Sequence, residues 1–274
     1  MSELSDIPGR VMLVGAGKMG GAMLEGWLAL GLDPARIAVI DPTPSPETAA
    51  LVARLGIDLN PLNGGPPAVL LLAVKPQVAA EVMGIIGPRV APSTLVVSVM
   101  AGRTLAFLES GFPPGTAVVR SIPNTPAAIG RGITVAVPNA AVSPAQHAIA
   151  DALLRATGAV EWIEDEALID AATAVSGSGP AYVFLLAEAL AEAGAQAGLP
   201  EDLADRLARA TVAGAGELIA RSGTEPATLR KNVTSPAGTT AAALDVLMDP
   251  DTGFGPLLRR AVAAATRRSR ELAG

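Results

Sequence analysis

Val11-Met12-Leu13-Val14-Gly15-Ala16-Gly17-Lys18-Met19-Gly20 is the stretch that decides the fold. Four apolar residues read as a buried strand, and the glycine-rich run after them opens a helix-like stretch. Gly15 permits a tight turn out of the strand. Gly17 leaves bare main chain for a pyrophosphate to approach, and Gly20 lets the helix lie close to the sheet. A helix start there offers unpaired N–H groups and a positive dipole end to an anion. A second apolar run, Ile37-Ala38-Val39-Ile40, ends in Asp41. That acid stands about 20 residues beyond the last glycine, where a ribose-binding carboxylate belongs. Gly15, Ala16, Gly17, Lys18, Met19, Gly20 and Asp41 are therefore candidate cofactor contacts for a nicotinamide dinucleotide. The competing reading is a chance glycine turn in a glycine-rich chain.

The rest of the composition narrows the chemistry. Of 274 residues, 50% are apolar but only 3% aromatic. A core of Ala, Leu and Val suits close-packed helices and a parallel sheet. The net charge is −6, and no basic run interleaves with aromatics, so nucleic acid is not an expected partner. There is no cysteine, which removes disulfides and thiol chemistry. The single histidine, His147, sits in Pro144-Ala-Gln-His-Ala-Ile and reads as part of an exposed helix face. Histidine-based nucleophilic systems and His/Cys zinc sites are thus not expected, and no metal is assigned. The opening MSELSDIPGR lacks the apolar core of a signal peptide. The longest apolar runs, such as 68–74, fall well short of the ~20 residues that cross a bilayer. A cytoplasmic protein without a membrane partner is the expectation. Its chemistry must rest on a cofactor, hydroxyls, main-chain donors or carboxylates.

The first half of the chain alternates strand and helix patterns. Strands are expected at 11–15, 37–41, 69–74, 95–99, 117–121 and 133–137, with helices such as 22–30 and 47–55 between them. Short continuous apolar strands separated by helices imply a parallel sheet covered on both faces. Ile163-Glu-Asp-Glu-Ala-Leu reads as a turn into the first long helix. This divides the chain into a dinucleotide-binding α/β domain, 1–164, and an all-α domain, 165–274. Tyr182-Val-Phe-Leu-Leu-Ala-Glu-Ala-Leu is apolar almost all round, the mark of a helix buried on every side. A small helical domain has little interior of its own in which to bury it. A homodimer through the helical half is the expectation, against a self-contained bundle packed on the first domain.

Five further segments are more specific than the glycine turn. They are Ala73-Val-Lys-Pro76, Val97-Ser-Val-Met-Ala-Gly102, Arg120-Ser-Ile-Pro-Asn-Thr-Pro126, Ser176-Gly-Ser-Gly-Pro-Ala-Tyr182 and Asn232-Val-Thr-Ser-Pro-Ala-Gly-Thr-Thr240. In this order and spacing, from about residue 10 to residue 272, the chain resembles the pyrroline-5-carboxylate reductases. The resemblance implies an N-terminal Rossmann domain and a C-terminal helical domain that interlocks with a second copy. It also implies dimers that assemble into a ring of five. The implied reaction is reduction of the cyclic imine 1-pyrroline-5-carboxylate to L-proline, the last step of proline biosynthesis, with hydride from NADPH or NADH. Imine reduction needs a hydride donor, a hydrogen-bonded nitrogen and a carboxylate anchor. It needs neither nucleophile nor metal, in keeping with the missing cysteine and the lone histidine.

The anchor falls on Ser235-Pro-Ala-Gly-Thr-Thr240. A serine before a proline reads as a helix start, with free N–H groups and hydroxyls for an anion. The resemblance puts substrate against Ser235, Gly238, Thr239 and Thr240. Thr240 matches the catalytic threonine whose hydroxyl lies near the imine nitrogen. Read alone, Thr240 could equally be a helix cap. Relatives often carry Ala at Thr239, which leaves that residue a main-chain role. Glu166 matches a glutamate near the substrate, although an acid there also suits the first turn of a helix. The Ser176 segment is read as structural: Gly177 and Gly179 would let a buried helix start in close contact with a neighbour. For the cofactor, ligands lie beyond the carboxyl ends of the strands. Ala73, Val74, Lys75 and Ala101 match cofactor-contacting positions. Asn63 matches one near the adenosine end, and Asn232 one near the nicotinamide.

Between the two cofactors, Asp41 favours NADH. It would accept bonds from free ribose hydroxyls and repel a 2′-phosphate. The Pro42-Thr-Pro-Ser-Pro-Glu that follows has no cation before Arg54, though Thr43 or Ser45 could bond a phosphate. Two other classes compete. A 3-hydroxyacid dehydrogenase commonly uses a lysine on a long interdomain helix, and 164–223 contains none. A non-catalytic dinucleotide sensor would have no use for the hydroxyl-bearing segment Ser235–Thr240.

Overall fold

Eight strands make one sheet in a computed structural model that describes Leu4, residues 7–62 and residues 64–273. The candidate Asn63 lies outside the described residues. The strands are β1 (Val11–Val14), β2 (Ile37–Ile40), β3 (Asp58–Leu59), β4 (Val69–Leu72), β5 (Leu95–Ser98), β6 (Ala117–Ile122), β7 (Gly132–Pro138) and β8 (Gly158–Trp162). Their spatial order is β3-β2-β1-β4-β5-β6-β7-β8. The first six strands run parallel, with Val11 beside Ile37 on one flank and Val69 on the other. The order reverses between β1 and β4, which is the switch point where a doubly wound sheet binds its ligand.

Both faces of the sheet are covered, as the continuous apolar strands require. Val11 and Leu13 of β1 point into a core with Ile37, Val69, Val97 and Val119. That core is closed by Met23, Leu24 and Trp27 of α1 (Lys18–Ala29), Val52 of α2 (Pro46–Leu55) and Leu153 of α5 (Pro144–Arg155). Met12 and Val14 point the other way, with Leu70, Val96 and Val118, against Met83 and Ile86 of α3 (Ala79–Ile86) and Leu108 of α4 (Leu105–Ser110). Trp27 is fully buried, and its indole Nε1 donates to the Leu153 carbonyl at 2.9 Å, so the largest side chain of the core leaves no polar atom stranded.

Three features depart from the sequence reading. β7 runs antiparallel to β6. The connection 123–131 is shorter than the dozen or so residues that a parallel crossover needs, so the chain returns directly. β3 has only two residues, and β8 begins with a glycine and exposes alternate residues. Neither carries the continuous apolar run that marks the inner strands. His147 is half-buried rather than exposed, stacked on Trp162 with ring centroids 3.9 Å apart.

The helical half begins with a 3-10 turn (Glu166–Leu168), α6 (Ile169–Ala172) and a π-turn (Thr173–Gly177), followed by α7 (Gly179–Gln196). Two compact units divide at this π-turn. One holds the chain up to Gly177 together with the chain from Thr266 onward, and the other is Ser178–Ala265. Residues just before the division belong with the sheet: Ile169 is fully buried beside Ile122, Val135 and Val137. Side-chain hydroxyls add bonds to main-chain carbonyls of this stretch. The Thr173 hydroxyl donates to Ile169 O at 2.7 Å, and the Ser176 hydroxyl to Ala172 O at 2.9 Å. Buried Asn124 donates through Nδ2 to Ser176 O at 3.0 Å.

The second unit contains α7, α8 (Glu201–Ser222), α9 (Pro226–Asn232), α10 (Thr239–Leu247) and the start of α11 (Phe254–Ala273). Gly194 lets α7 approach α8: a Cβ there would lie 3.3 Å from Ala204 Cβ. Ala204 and Ala208 are the only fully buried apolar side chains among the unit's described residues. Phe184 and Leu185 are 59% and 62% exposed. The expected burial of α7 on every side is therefore not met within one chain. Within the described residues of one chain Gly179 also makes no close contact, since no atom would lie within 4 Å of a Cβ there. By length and composition alone Glu166–Gln196, with mean hydropathy 1.3 over its most apolar window, is long enough to cross a bilayer, but its first part is folded into the sheet unit, where Ile169 is fully buried.

Candidate functional site

The glycine turn lies at the carboxyl end of β1, beside the switch point. Gly15 has φ +88°, and its N–H donates to Ile40 O at 2.8 Å, tying the ends of β1 and β2 together. A Cβ on Gly15 would stand 2.7 Å from Ala73 O and 2.9 Å from Val74 Cγ1. A Cβ on Gly20 would collide with the Gly15 carbonyl oxygen and crowd Ala73 Cβ at 3.2 Å, so only glycine lets α1 sit this close to the sheet. Gly17 differs, because beyond its chain neighbours and its own helix no atom of the described residues lies within 4 Å of where its Cβ would be. It is the extended N-cap of α1, no side chain caps that end, and the first turn carries no acid. Bare main chain, open space and an uncapped helix terminus meet here. The residues fit a dinucleotide diphosphate.

Asp41 follows β2 and faces the same turn. Its Oδ2 accepts from Ala16 N at 2.7 Å, and its Oδ1 accepts from Thr43 N at 2.9 Å. Asn60, in the left-handed region at φ 53°, holds Asp41 from behind. Its Oδ1 accepts from Asp41 N at 2.9 Å, and its Nδ2 donates to Asp41 O at 2.8 Å. The Thr48 hydroxyl donates to Ala16 O at 3.3 Å. Asn60 and Thr48 were missed by the sequence reading. An Asn in a turn that needs positive φ is a readable signal, but its partner 19 residues away is not. Ser45 is committed to capping α2, accepting from Thr48 N at 3.2 Å.

Ala73, Val74 and Lys75 leave β4, and Met100, Ala101 and Gly102 follow β5. Lys75 and Ala101 are exposed, whereas Met100 is buried. Met100 N donates to Ser98 Oγ at 3.2 Å, which sets the exit from β5. Lys18 is exposed and Met19 half-exposed in the first turn of α1.

Glu166 has a defined environment. Its Oε1 accepts from Leu105 N at 2.7 Å, at the start of α4, and from Arg120 Nη1 at 2.5 Å. Arg120 is 3% exposed and shares its face of β6 with Val118; its Nε has no hydrogen-bond partner among the described residues. An arginine in a run of buried valines was readable as an anomaly in the sequence. Its partner 46 residues further on was not.

In the second unit, Ser235–Gly238 is a turn, with Gly238 N donating to Ser235 O at 3.1 Å and Ala237 left-handed at φ 57°. Helix α10 starts at Thr239 with Gly238 as its N-cap, not at Pro236 with Ser235 as cap, because the left-handed Ala237 interrupts the helix. A Cβ on Gly238 would collide with Ser235 Oγ. The result is a bare helix start: no side chain caps α10, no acid lies in its first turn, and Thr239 and Thr240 are its first two residues. Ser235 and Asn232 are exposed, and Thr240 is half-exposed. Such an end suits a small carboxylate.

Comparison with known proteins agrees with both ends of the chain. Residues 166–272 match the family described as pyrroline-5-carboxylate reductase dimerisation, and residues 10–102 match NADP oxidoreductase coenzyme F420-dependent. A pyrroline-5-carboxylate reductase of Pseudomonas aeruginosa is 42% identical over 267 residues, covering 96% of this chain and 97% of that protein. Among solved structures, a pyrroline-5-carboxylate reductase from Coxiella burnetii superposes with TM-score 0.89 at 32% identity, covering 97% of this chain and 99% of that one. Plasmodium falciparum pyrroline carboxylate reductase with NADP bound superposes with TM-score 0.80 at 27% identity, covering the same shares. With a glycine turn, an apolar helical half and a match running nearly end to end, the chain belongs to the pyrroline-5-carboxylate reductase family.

Proposed function

We propose that this protein reduces 1-pyrroline-5-carboxylate to L-proline with hydride from a reduced nicotinamide dinucleotide. The observation that carries the reading is the end-to-end match at 42% identity, which spans the bare start of α1 and the bare start of α10 alike. A bound dihydronicotinamide supplies the hydride. The chain supplies the rest. Gly15, Ala16, Gly17, Lys18, Met19 and Gly20 form the diphosphate turn: the N–H groups of Gly15 and Ala16 are taken by Ile40 O and Asp41 Oδ2 and fix its shape, while the start of α1 from Gly17 onward offers main-chain N–H groups and the helix dipole to the anion. Asp41, Asn63, Ala73, Val74, Lys75, Ala101 and Asn232 are the remaining cofactor contacts we assign. Ser235, Gly238 and Thr239 anchor the carboxylate. The Thr240 hydroxyl orients the ring nitrogen and helps deliver its proton. Glu166 is charge-paired with Arg120, so its proposed substrate role is to hold one geometry by its second oxygen rather than to supply net charge. Hydride adds to the imine carbon, the nitrogen takes the proton, and a secondary amine results.

The functional division proposed is 1–164 for cofactor and 165–274 for substrate and dimerisation. The assembly is a homodimer, five of which build the ring that the family resemblance implies, acting in the cytoplasm. NADH is the preferred donor. The Asp41 carboxylate accepts two main-chain N–H bonds and meets a 2′-phosphate with like charge. The test is to mix purified protein with the imine and either NADH or NADPH and to follow cofactor oxidation and proline formation. Proline formed in step with oxidation supports the reading, and oxidation without proline refutes it.

A further inference from the structure

Arg103 follows the β5 exit loop, and nothing in the reading above gives it work. Its guanidinium reaches across to the chain leaving β4. Nη2 donates to Pro76 O at 2.6 Å, and Nε donates to the same oxygen at 3.1 Å. Its plane also lies over the Phe107 ring, 4.5 Å from the centroid. Phe107 is itself fixed at the start of α4, where its N–H donates to Thr104 Oγ1 at 3.1 Å. The side chain is thus gripped at an oxygen and at a ring, and little freedom remains to it.

What Arg103 joins gives it meaning. Pro76 directly follows Ala73-Val74-Lys75, and Arg103 directly follows Met100-Ala101-Gly102. In the sheet order, β4 and β5 lie on the far side of the switch point from β2 and Asp41. That is the side for the nicotinamide half of the cofactor when the adenosine half lies over β2. We propose that Arg103 is a positioning residue that clamps the β4 and β5 exit loops at the spacing that receives the nicotinamide half. This rests on the cofactor reading above. Arg103 touches neither reacting atoms nor substrate; it acts through the main chain of the two loops. Ordering them before the ligand arrives removes an entropic cost from binding.

The test uses the full-length enzyme with Arg103→Ala and Arg103→Lys. Dissociation constants for the intact reduced cofactor and for ADP, which carries only the adenosine and pyrophosphate half, are measured by calorimetry. Steady-state constants are measured alongside. Arg103→Ala should weaken intact cofactor about tenfold, the equivalent of ~1.4 kcal/mol. ADP affinity and the KM for the imine should stay within about twofold of the parent. Arg103→Lys keeps one donor for Pro76 O and should recover part of the loss. Equal weakening of ADP and intact cofactor would show a merely structural residue and overturn the proposal, as would unchanged cofactor affinity in Arg103→Ala. If the parent binds the dinucleotide and Arg103→Ala weakens it, but neither enzyme reduces the imine, the clamp stands and the proposed reaction falls.

Discussion

Thr240 and Asp41 concentrate the chemistry at the scale of single residues. Thr240 is the second residue of α10 and half-exposed, with no acid in the first turn to compete for the anion. Thr240→Ala should leave the fold intact and lower kcat about a hundredfold, the lower range for assistance to proton transfer. Unchanged turnover at saturating imine would mean that solvent delivers the proton unaided. Asp41 does two jobs, because the carboxylate that should meet the ribose also holds Ala16 N at 2.7 Å. Asp41→Ala should therefore weaken both cofactors and weaken NADH more. The kcat/KM ratio of NADPH to NADH should rise about tenfold. A parent enzyme that already prefers NADPH would contradict the argument.

At the scale of elements, the strand–turn–helix of 11–29 shows what close approach demands. Gly20 lies so near Gly15 that any Cβ must push α1 off the sheet. Gly20→Ala should cost about 1–3 kcal/mol of stability by overpacking and weaken dinucleotide binding further, read by chemical unfolding and by calorimetry. This unit was legible in the sequence because its information is local: an apolar run, three glycines at fixed offsets and an acid after the next strand. The inner strands were legible for the same reason. β8 was not, since an edge strand needs only one apolar residue, Val160, to face inward. The start of α10 was half legible. Ser235-Pro236 has the composition of a helix start, but the left-handed Ala237 delays the helix to Thr239, and no sequence rule assigns that conformation to alanine. The Arg120–Glu166 pair and the Arg103 clamp join segments remote in sequence, so only the folded chain reveals them.

For the whole molecule, burial is uneven. The sheet unit has three packed apolar clusters among its described residues, whereas Ser178–Ala265 keeps Phe184, Leu185 and neighbouring apolar side chains in the open. An apolar surface of this kind marks an interface, and it lies within the residues matched by the dimerisation family. Light scattering across a wide concentration range should give at least a dimer mass, and Leu185→Asp should shift the population toward monomer. A monomer at every concentration would remove the assembly. On the proposed mechanism main chain and hydroxyls, without metal or nucleophile, bring hydride to a C=N bond. Reduced cofactor carrying deuterium at the transferable C4 position tests it most directly, with proline analysed by mass spectrometry and NMR. One deuterium should appear on the ring carbon that had been the imine carbon, at a rate that falls with Thr240→Ala. Proline free of deuterium while cofactor is oxidised would contradict it.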